Sequence, residues 1–389
     1  MSSTNIAPRQ DVPRKLEVKA PVSIPQMGNA PARVLLNQGS FESMLYLERR
    51  RAERTQKRFV LVLVDISRTL TYAHAVPRIA AELADATRET DILGWYVENS
   101  LIGIIGTELG SAPPKLIEER LLDRLRAAFE KALGKNGSAG SSVSFHFFPE
   151  EWGDAKKDHR ADIILYPDLS RHKEHKRFAL AIKRSIDIVG STGALFLFAP
   201  AFAVIAAAIK CTSKGPVLFR QERLGQYGKK FMFLKFRSMC TDCDSKIHEA
   251  YVNQFIAGQV DGEAVGESNK PVYKIQADPR ITKVGRFLRK TSLDELPQFW
   301  NVLMGEMSLV GPRPPVAYEY RAYKEWHRRR VLEIKPGITG LWQVEGRSRT
   351  CFDDMVRLDL KYARGWSVWL DLKILAQTPS AVFTGEGAH

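Results

Sequence analysis

The chain has 389 residues, with 58 Lys+Arg against 44 Asp+Glu and a formal charge of +14. That length leaves room for two domains with cores of their own, and the basic excess points to an anionic partner: nucleic acid, acidic lipid or a phosphorylated small molecule. Four scattered cysteines, Cys211, Cys240, Cys243 and Cys351, exclude a disulfide framework and read as thiols of a reduced compartment.

Residues 1–40 are polar, proline-bearing and without the apolar core of a signal peptide, so they read as a disordered tail. From Phe41 a helix carries Met44, Leu45 and Leu47 into the charged run Glu48–Arg54. Phe59–Ile66 is an apolar run of strand length, and Val76, Ile79, Leu83 and Ala86 recur at the spacing of one helix face. Ile92–Val97 and Leu101–Gly106 are strands joined by the turn Glu98-Asn99-Ser100. Pro114–Leu133 repeats the helical spacing, and Ser142–Phe148 alternates as a half-buried strand.

The order strand, helix, hairpin, helix, strand predicts an α+β fold with an antiparallel sheet over residues 41–150. It resembles the palm-like core of the nucleotidyl-cyclase and GGDEF diguanylate-cyclase families. Where that family carries Gly-Gly-Asp-Glu-Phe, this chain reads Gly94-Trp95-Tyr96-Val97-Glu98-Asn99-Ser100. The resemblance therefore implies a degenerate domain with a structural or assembly role. Residues 151–176 read as a charged linker in which Ile163–Tyr166 is a strand candidate.

Ile188–Ile209 holds 22 residues without a charge. A straight helix of that length measures roughly 33 Å and spans a bilayer core of about 30 Å. Pro200, near its middle, breaks the helix ladder, so the segment is a kinked span, a re-entrant hairpin or the core helix of a soluble domain. Lys183 and Arg184 precede it and Lys210 and Lys214 follow, so the positive-inside bias gives no reason to put either end outside.

Beyond it, Lys235 and Arg237 share one face if Phe231–Met239 is a strand. Asp278-Pro279 reads as a helix start, followed by Arg280, Lys283, Arg286 and Arg289 at steps of three. The adjacent carboxylates Asp294 and Glu295 come next, with Ser292 and Glu295 spaced as a capping box. Prolines flank Arg313 in Val310-Gly311-Pro312-Arg313-Pro314, and a second glycine-punctuated loop runs from Lys335 to Arg347. Tyr318–Val331 and Tyr362–Leu375 are amphipathic stretches for a membrane surface or a core. Cys240 and Cys243 have CxxC spacing but no second pair, and read as a chance spacing.

Six of these stretches, taken in order over residues 177–378, resemble the bacterial sugar transferases, the monotopic polyprenyl-phosphate phosphoglycosyltransferases: Lys183-Arg184-Ser-Ile-Asp187, the Pro200-broken helix, Lys235-Phe-Arg237-Ser-Met239, Ser292-Leu-Asp294-Glu295-Leu296, Val310-Gly311-Pro312-Arg313-Pro314 and Pro336-Gly337-Ile-Thr339-Gly340. The resemblance implies a mostly helical monotopic membrane domain over 177–389, with a re-entrant segment at 188–209 on the cytoplasmic face of the bacterial inner membrane. It further implies ping-pong transfer of sugar-1-phosphate from a UDP-sugar to polyprenyl phosphate, with release of UMP, to initiate exopolysaccharide or glycan-lipid synthesis. Asp294 would be the nucleophile, Glu295 would hold Mg²⁺, Arg289 would meet polyprenyl phosphate and Arg313 the nucleotide sugar, with Lys235, Arg237, Lys183 and Arg184 as further substrate contacts. An ionised carboxylate of ordinary pKa needs no base to activate it. Membrane lipids are expected partners, a homodimer is possible and nucleic acid is not expected. The alternative is a membrane-tethered nucleotide-sensing regulatory protein with an inactive transferase domain.

Overall fold

Asn37 opens the first long helix. Its Oδ1 accepts from Ser40 N at 2.8 Å, and α1 (Gln38–Thr55) follows. The computed structural model describes residues 22–23, 34–67, 75–134, 142–149, 162–169, 176–240, 246–259, 263–264, 271–272, 280–346 and 350–383. They fall into two units, Met1–Phe148 and Pro149–His389.

In the first unit β1 (Phe59–Asp65), α2 (Ala75–Ala86), β2 (Ile92–Val97), β3 (Leu101–Gly106), α3 (Pro114–Leu133) and β4 (Ser142–Phe148) follow in the expected order. The sheet runs β2-β3-β1-β4 with every pairing antiparallel. β1 is apolar from Phe59 to Val64 because both its faces are covered there. Val60, Val62 and Val64 meet Ile79, Leu83, Leu125 and Phe129 of the two helices. Gly94 and Gly103 alternate with core-facing Leu93, Trp95, Ile102 and Ile104 and so look to the other face, where a Cβ on either would collide with the Phe41 ring of α1. These glycines make room for an aromatic ring. Residues 34–40, assigned above to the tail, are part of this unit: Leu35 is buried, and Leu36 N donates to Leu93 O at 3.1 Å.

Near the start of the second unit, Ile163–Leu165 is a 3-10 turn capped by Asp162, where the sequence offered a strand. α4 (Arg177–Leu197) and α5 (Ala199–Thr212) meet at a 58° bend. No single helix among the described residues is long and apolar enough to cross a membrane; this bent pair passes on length and composition together. Phe198 marks the bend, and Pro200 sits in the first turn of α5, where a missing amide sacrifices no intrahelical bond. Phe196 is 86% exposed, Val189 72% and Val204 69%, so the pair is not a buried core helix.

The hairpin β5 (Leu218–Leu224) and β6 (Lys230–Phe236) follows. Asp278 and Pro279 lie outside the described residues; α6 (Lys283–Lys290) is instead capped by Thr282, whose Oγ1 accepts from Gly285 N at 2.9 Å. Next come α7 (Gln298–Met304), β7 (Ser308–Val310), α8 (Glu325–Glu333), β8 (Gly337–Thr339), α9 (Phe352–Gly365) and α10 (Val368–Phe383). β7 and β8 pair in parallel.

Three polar residues of α4 tie the bent pair to this framework. Lys183 Nζ donates to Asp371 Oδ2 at 2.7 Å and to Val310 O at 3.0 Å. Arg184 donates to Val302 O and Leu303 O, each at 2.7 Å, satisfying carbonyls at the end of α7. Asp187 Oδ1 accepts from Ser308 Oγ and Leu309 N, both at 2.9 Å.

Of the two amphipathic stretches, the first is core: Tyr320 and Tyr323 are buried in a cluster with Val331 and Phe352. The second divides, with Tyr362 and Trp366 buried and Trp369 76% exposed. Cys240 is disulfide-bonded, unlike the expected thiol, whereas Cys211 and Cys351 are free. Cys243 lies outside the described residues.

Candidate active site

The carboxylate pair sits on a short 3-10 turn, Leu293–Glu295, wedged between α6 and α7. Ser292 enters that turn in the left-handed region at φ 56°, a conformation that costs a non-glycine residue about 1 kcal/mol. The expected capping box does not form. Ser292 makes no side-chain cap, and its carbonyl accepts from Glu295 N at 3.2 Å. The Glu295 side chain is thereby released from the turn and reaches across to β6.

There Lys235 Nζ donates to Glu295 Oε1 at 2.7 Å and lies 3.7 Å from Asp294 Oδ2. Arg313 Nη1 is 3.9 Å from the same Glu295 oxygen. Asn301 sets the register between strand and helix. Its Oδ1 accepts from Leu234 N at 3.1 Å, and its Nδ2 donates to Met232 O at 2.8 Å and Glu306 Oε2 at 2.7 Å. Lys235 follows Leu234 directly, so this amide delivers the ammonium to the carboxylates.

The two carboxyls are pushed in opposite directions. Burial raises the pKa of Asp294; Lys235 opposes that rise, neighbouring Glu295 adds to it, and Arg289 and Arg313 also oppose it. Burial works against ionisation of Glu295 too, but Lys235, Arg313 and Arg223 outweigh it and hold that carboxyl at about 2. Glu295 is thus a fixed anion, and Asp294 is the more basic carboxylate of the pair. The premise of an ordinary pKa for Asp294 does not hold, because the residue is buried. Among the described residues no group of three acidic, His or Cys side chains could hold a metal. Glu295 nonetheless fits the usual Mg²⁺ pattern of one or two protein carboxylates completed by substrate phosphates and water.

Of the expected site residues, Asp294, Glu295, Lys235, Arg289 and Arg313 come together. Arg237 does not. Strand β6 ends at Phe236, and the Arg237 guanidinium turns to Lys214 O, Ser213 O and Ser213 Oγ. Lys183 and Arg184 are likewise spent on Asp371 and on the end of α7. Pro200 lies in α5, at the bend. Two polar residues of the site were not assigned from the sequence: Asn301, which belongs to none of the motifs, and Arg223, whose mostly polar strand Leu218–Leu224 gave no hint of its burial.

The glycines of the last two motifs join two loops backbone to backbone. A Cβ on Gly337 would overlap Gly311 N, and one on Gly340 would overlap Gly311 O. Gly311 N donates to Thr339 O and Gly337 N to Pro312 O, both at 2.8 Å. Of the glycine-punctuated loop from Lys335 to Arg347, residues 337–339 are strand β8, and Arg347 lies outside the described residues.

A family model described as bacterial sugar transferase matches residues 178–385. The galactosyl transferase CpsE of Streptococcus agalactiae serotype III is 43% identical over 217 residues, covering 56% of this chain and 45% of that protein. A UDP-glucose:undecaprenyl-phosphate glucose-1-phosphate transferase of Klebsiella pneumoniae is 43% identical, covering 54% and 42%. The exopolysaccharide production protein ExoY of Rhizobium meliloti is 39% identical, covering 53% of this chain and 88% of that protein. The chain thus spans less than half the length of the first two and most of the third. A GGDEF-domain structure from Pseudomonas aeruginosa is 21% identical, covering 35% of this chain and 86% of that one at a TM-score of 0.25, too low to assign a fold.

Proposed function

Because the chain belongs to the bacterial sugar transferase family, we propose that it transfers sugar-1-phosphate from a UDP-sugar to polyprenyl phosphate. The observation that carries this reading is the division of the carboxylate pair into a fixed anion, Glu295, and a basic, buried Asp294, with one lysine serving both.

In the proposed first step an Asp294 carboxylate oxygen attacks the sugar-bearing phosphorus. The new P–O bond forms as the bond to the bridging oxygen breaks, and UMP leaves with that electron pair. An oxygen of polyprenyl phosphate then attacks the same phosphorus and restores the Asp294 carboxylate. Lys235 stabilises the ionised nucleophile and the charge on the transferring group, and Arg313 orients the donor diphosphate. Arg289, on the opposite side of the pair in sequence, serves the lipid phosphate. Mg²⁺ held by Glu295 would screen the diphosphate charge.

The bent, outward-facing pair α4–α5 supports a re-entrant, monotopic seat at the cytoplasmic face of the inner membrane. The reaction would then start exopolysaccharide or glycan-lipid assembly. The edge strand β4 supports a homodimer as a further proposal. The deciding experiment offers a panel of UDP-sugars to the full chain without lipid acceptor. A stoichiometric burst of UMP, absent from Asp294→Asn, is the expected result. UMP that appears only with lipid present would favour one-step transfer and sink the covalent mechanism.

A further inference from the structure

Two buried guanidinia hold consecutive carbonyls of the Arg313 loop. Arg223 Nη1 donates to Pro314 O at 2.7 Å, and Arg330 Nη2 donates to Arg313 O at 3.2 Å. Arg330 is anchored in turn by Asp359 at 2.7 Å, an ion pair almost without solvent exposure. Arg223 is anchored by Gln221, whose Oε1 accepts from Nε at 3.2 Å and Nη2 at 3.0 Å. Its guanidinium also stacks 4.3 Å above the Phe233 ring, and the opposite claim on that ring is made by Lys235 Nζ at 5.6 Å. Phe233 and Lys235 lie two apart on β6 and share a face. Beside the grip, Leu224 N donates to Pro315 O at 2.9 Å.

The geometry points to Arg223 as a positioning residue, which with Arg330 fixes the backbone beneath Arg313 and sets the separation of Arg313 from Lys235 on either side of Glu295. Burying a guanidinium is unfavourable unless its donors and its face are used. At Arg223 both are used, and that residue joins the two cation-bearing elements of the site. The Arg313 side chain, 44% exposed, is left as the moving part. Arg223 touches no reacting atom; beside the charge it lends Glu295, it acts on donor binding through Arg313. The inference rests on the transfer reading for its kinetic arm alone.

The test uses the full chain in lipid nanodiscs, with UDP-galactose and UDP-glucose as donors. Arg223→Met should raise KM for the turned-over donor about tenfold and leave kcat within about threefold, the scale of coupling between contacting residues. In an Arg313→Ala background the same change should add nothing further to KM, and Arg223→Lys should recover part of the loss. Losses that multiply in the double variant, or a fall in kcat alone, overturn the inference. The second arm needs no turnover. Amide exchange at Gly311, Arg313 and Val316 in the ligand-free chain should quicken about tenfold in Arg223→Met while α9 keeps its protection; unchanged exchange at those amides overturns the inference. A wild-type chain that releases no UMP from either donor sinks the transfer reading instead and leaves amide exchange to judge the grip.

Discussion

Lys235 Nζ lies 2.7 Å from Glu295 and 3.7 Å from Asp294, so one ammonium serves two neighbouring carboxylates unequally. The carboxylate that wins the direct bond is held at about 2, and the one left at the longer distance has its pKa raised by burial. Lys235→Met removes the common partner, and both carboxyls then move upward. UMP release should fall at least about 100-fold, the scale for losing one preorganised charge, and a release assay across pH checks it.

Neutral isosteres of the two carboxylates should part company in stability. Folding disfavours the ionised Asp294, so Asp294→Asn should melt at or above the wild-type temperature at pH 7 while losing activity. Folding favours ionised Glu295, so Glu295→Gln should lose about 1–3 kcal/mol, as expected when a half-buried ammonium loses its charged acceptor. Thermal melts of both variants decide.

The pH dependence follows in sign. Glu295 drops from a reference of 4.5 to about 2, so its contribution is present above pH 4.5 and lost as pH falls through the folded value. Acid titration from pH 5 to pH 2 should therefore destabilise wild type more steeply than Glu295→Gln. Asp294 shifts the other way, so the acid limb of kcat/KM should lie above the usual carboxylate range.

Lys183→Met should behave as a stability variant. Asp371 would be left buried without its ammonium, a change that costs about 3–5 kcal/mol in comparable pairs. Denaturant melts should register that loss, whereas KM for the donor in the surviving folded fraction should stay within about twofold. A donor KM raised tenfold at unchanged stability would restore Lys183 to the substrate site.

Gly337→Ala tests the backbone contact of the two loops. The new methyl would overlap Gly311 N, and neither partner is a side chain that can swing aside. The melting temperature should fall by an amount equivalent to about 3 kcal/mol or more, together with loss of UMP release, since Arg313 stands two residues from the collision.

Much of this was readable before any coordinates because the relevant signals are local. The run Phe59–Ile66 and the stripe Val76, Ile79, Leu83 and Ala86 carry their own periodicity, and the expected strands Ile92–Val97 and Leu101–Gly106 match β2 and β3 end to end. Asp294, Glu295 and Arg313 were visible as motifs. Which cations face them was not, because that depends on pairings across the fold: Lys235 meets Glu295 across 60 positions, whereas Lys183 finds Asp371 across 188. A basic residue near a motif looks the same whether it binds substrate or caps a helix, and Arg184 and Arg237 do the latter kind of work, on carbonyls. The capping box failed for a related reason: Ser292 and Glu295 have the right spacing, but a longer-range ammonium outbid the local amide for the carboxylate.

The hold that the framework keeps on α4 has a practical consequence for anyone trimming the chain. Lys183, Arg184 and Asp187 hang from the same helix as the greasy exposed face at Val189 and Phe196. Cutting that helix away would leave Asp371 without its cation, the end of α7 uncapped and Ser308 and Leu309 without their acceptor. The outward face has to be altered residue by residue, with Lys183, Arg184 and Asp187 kept.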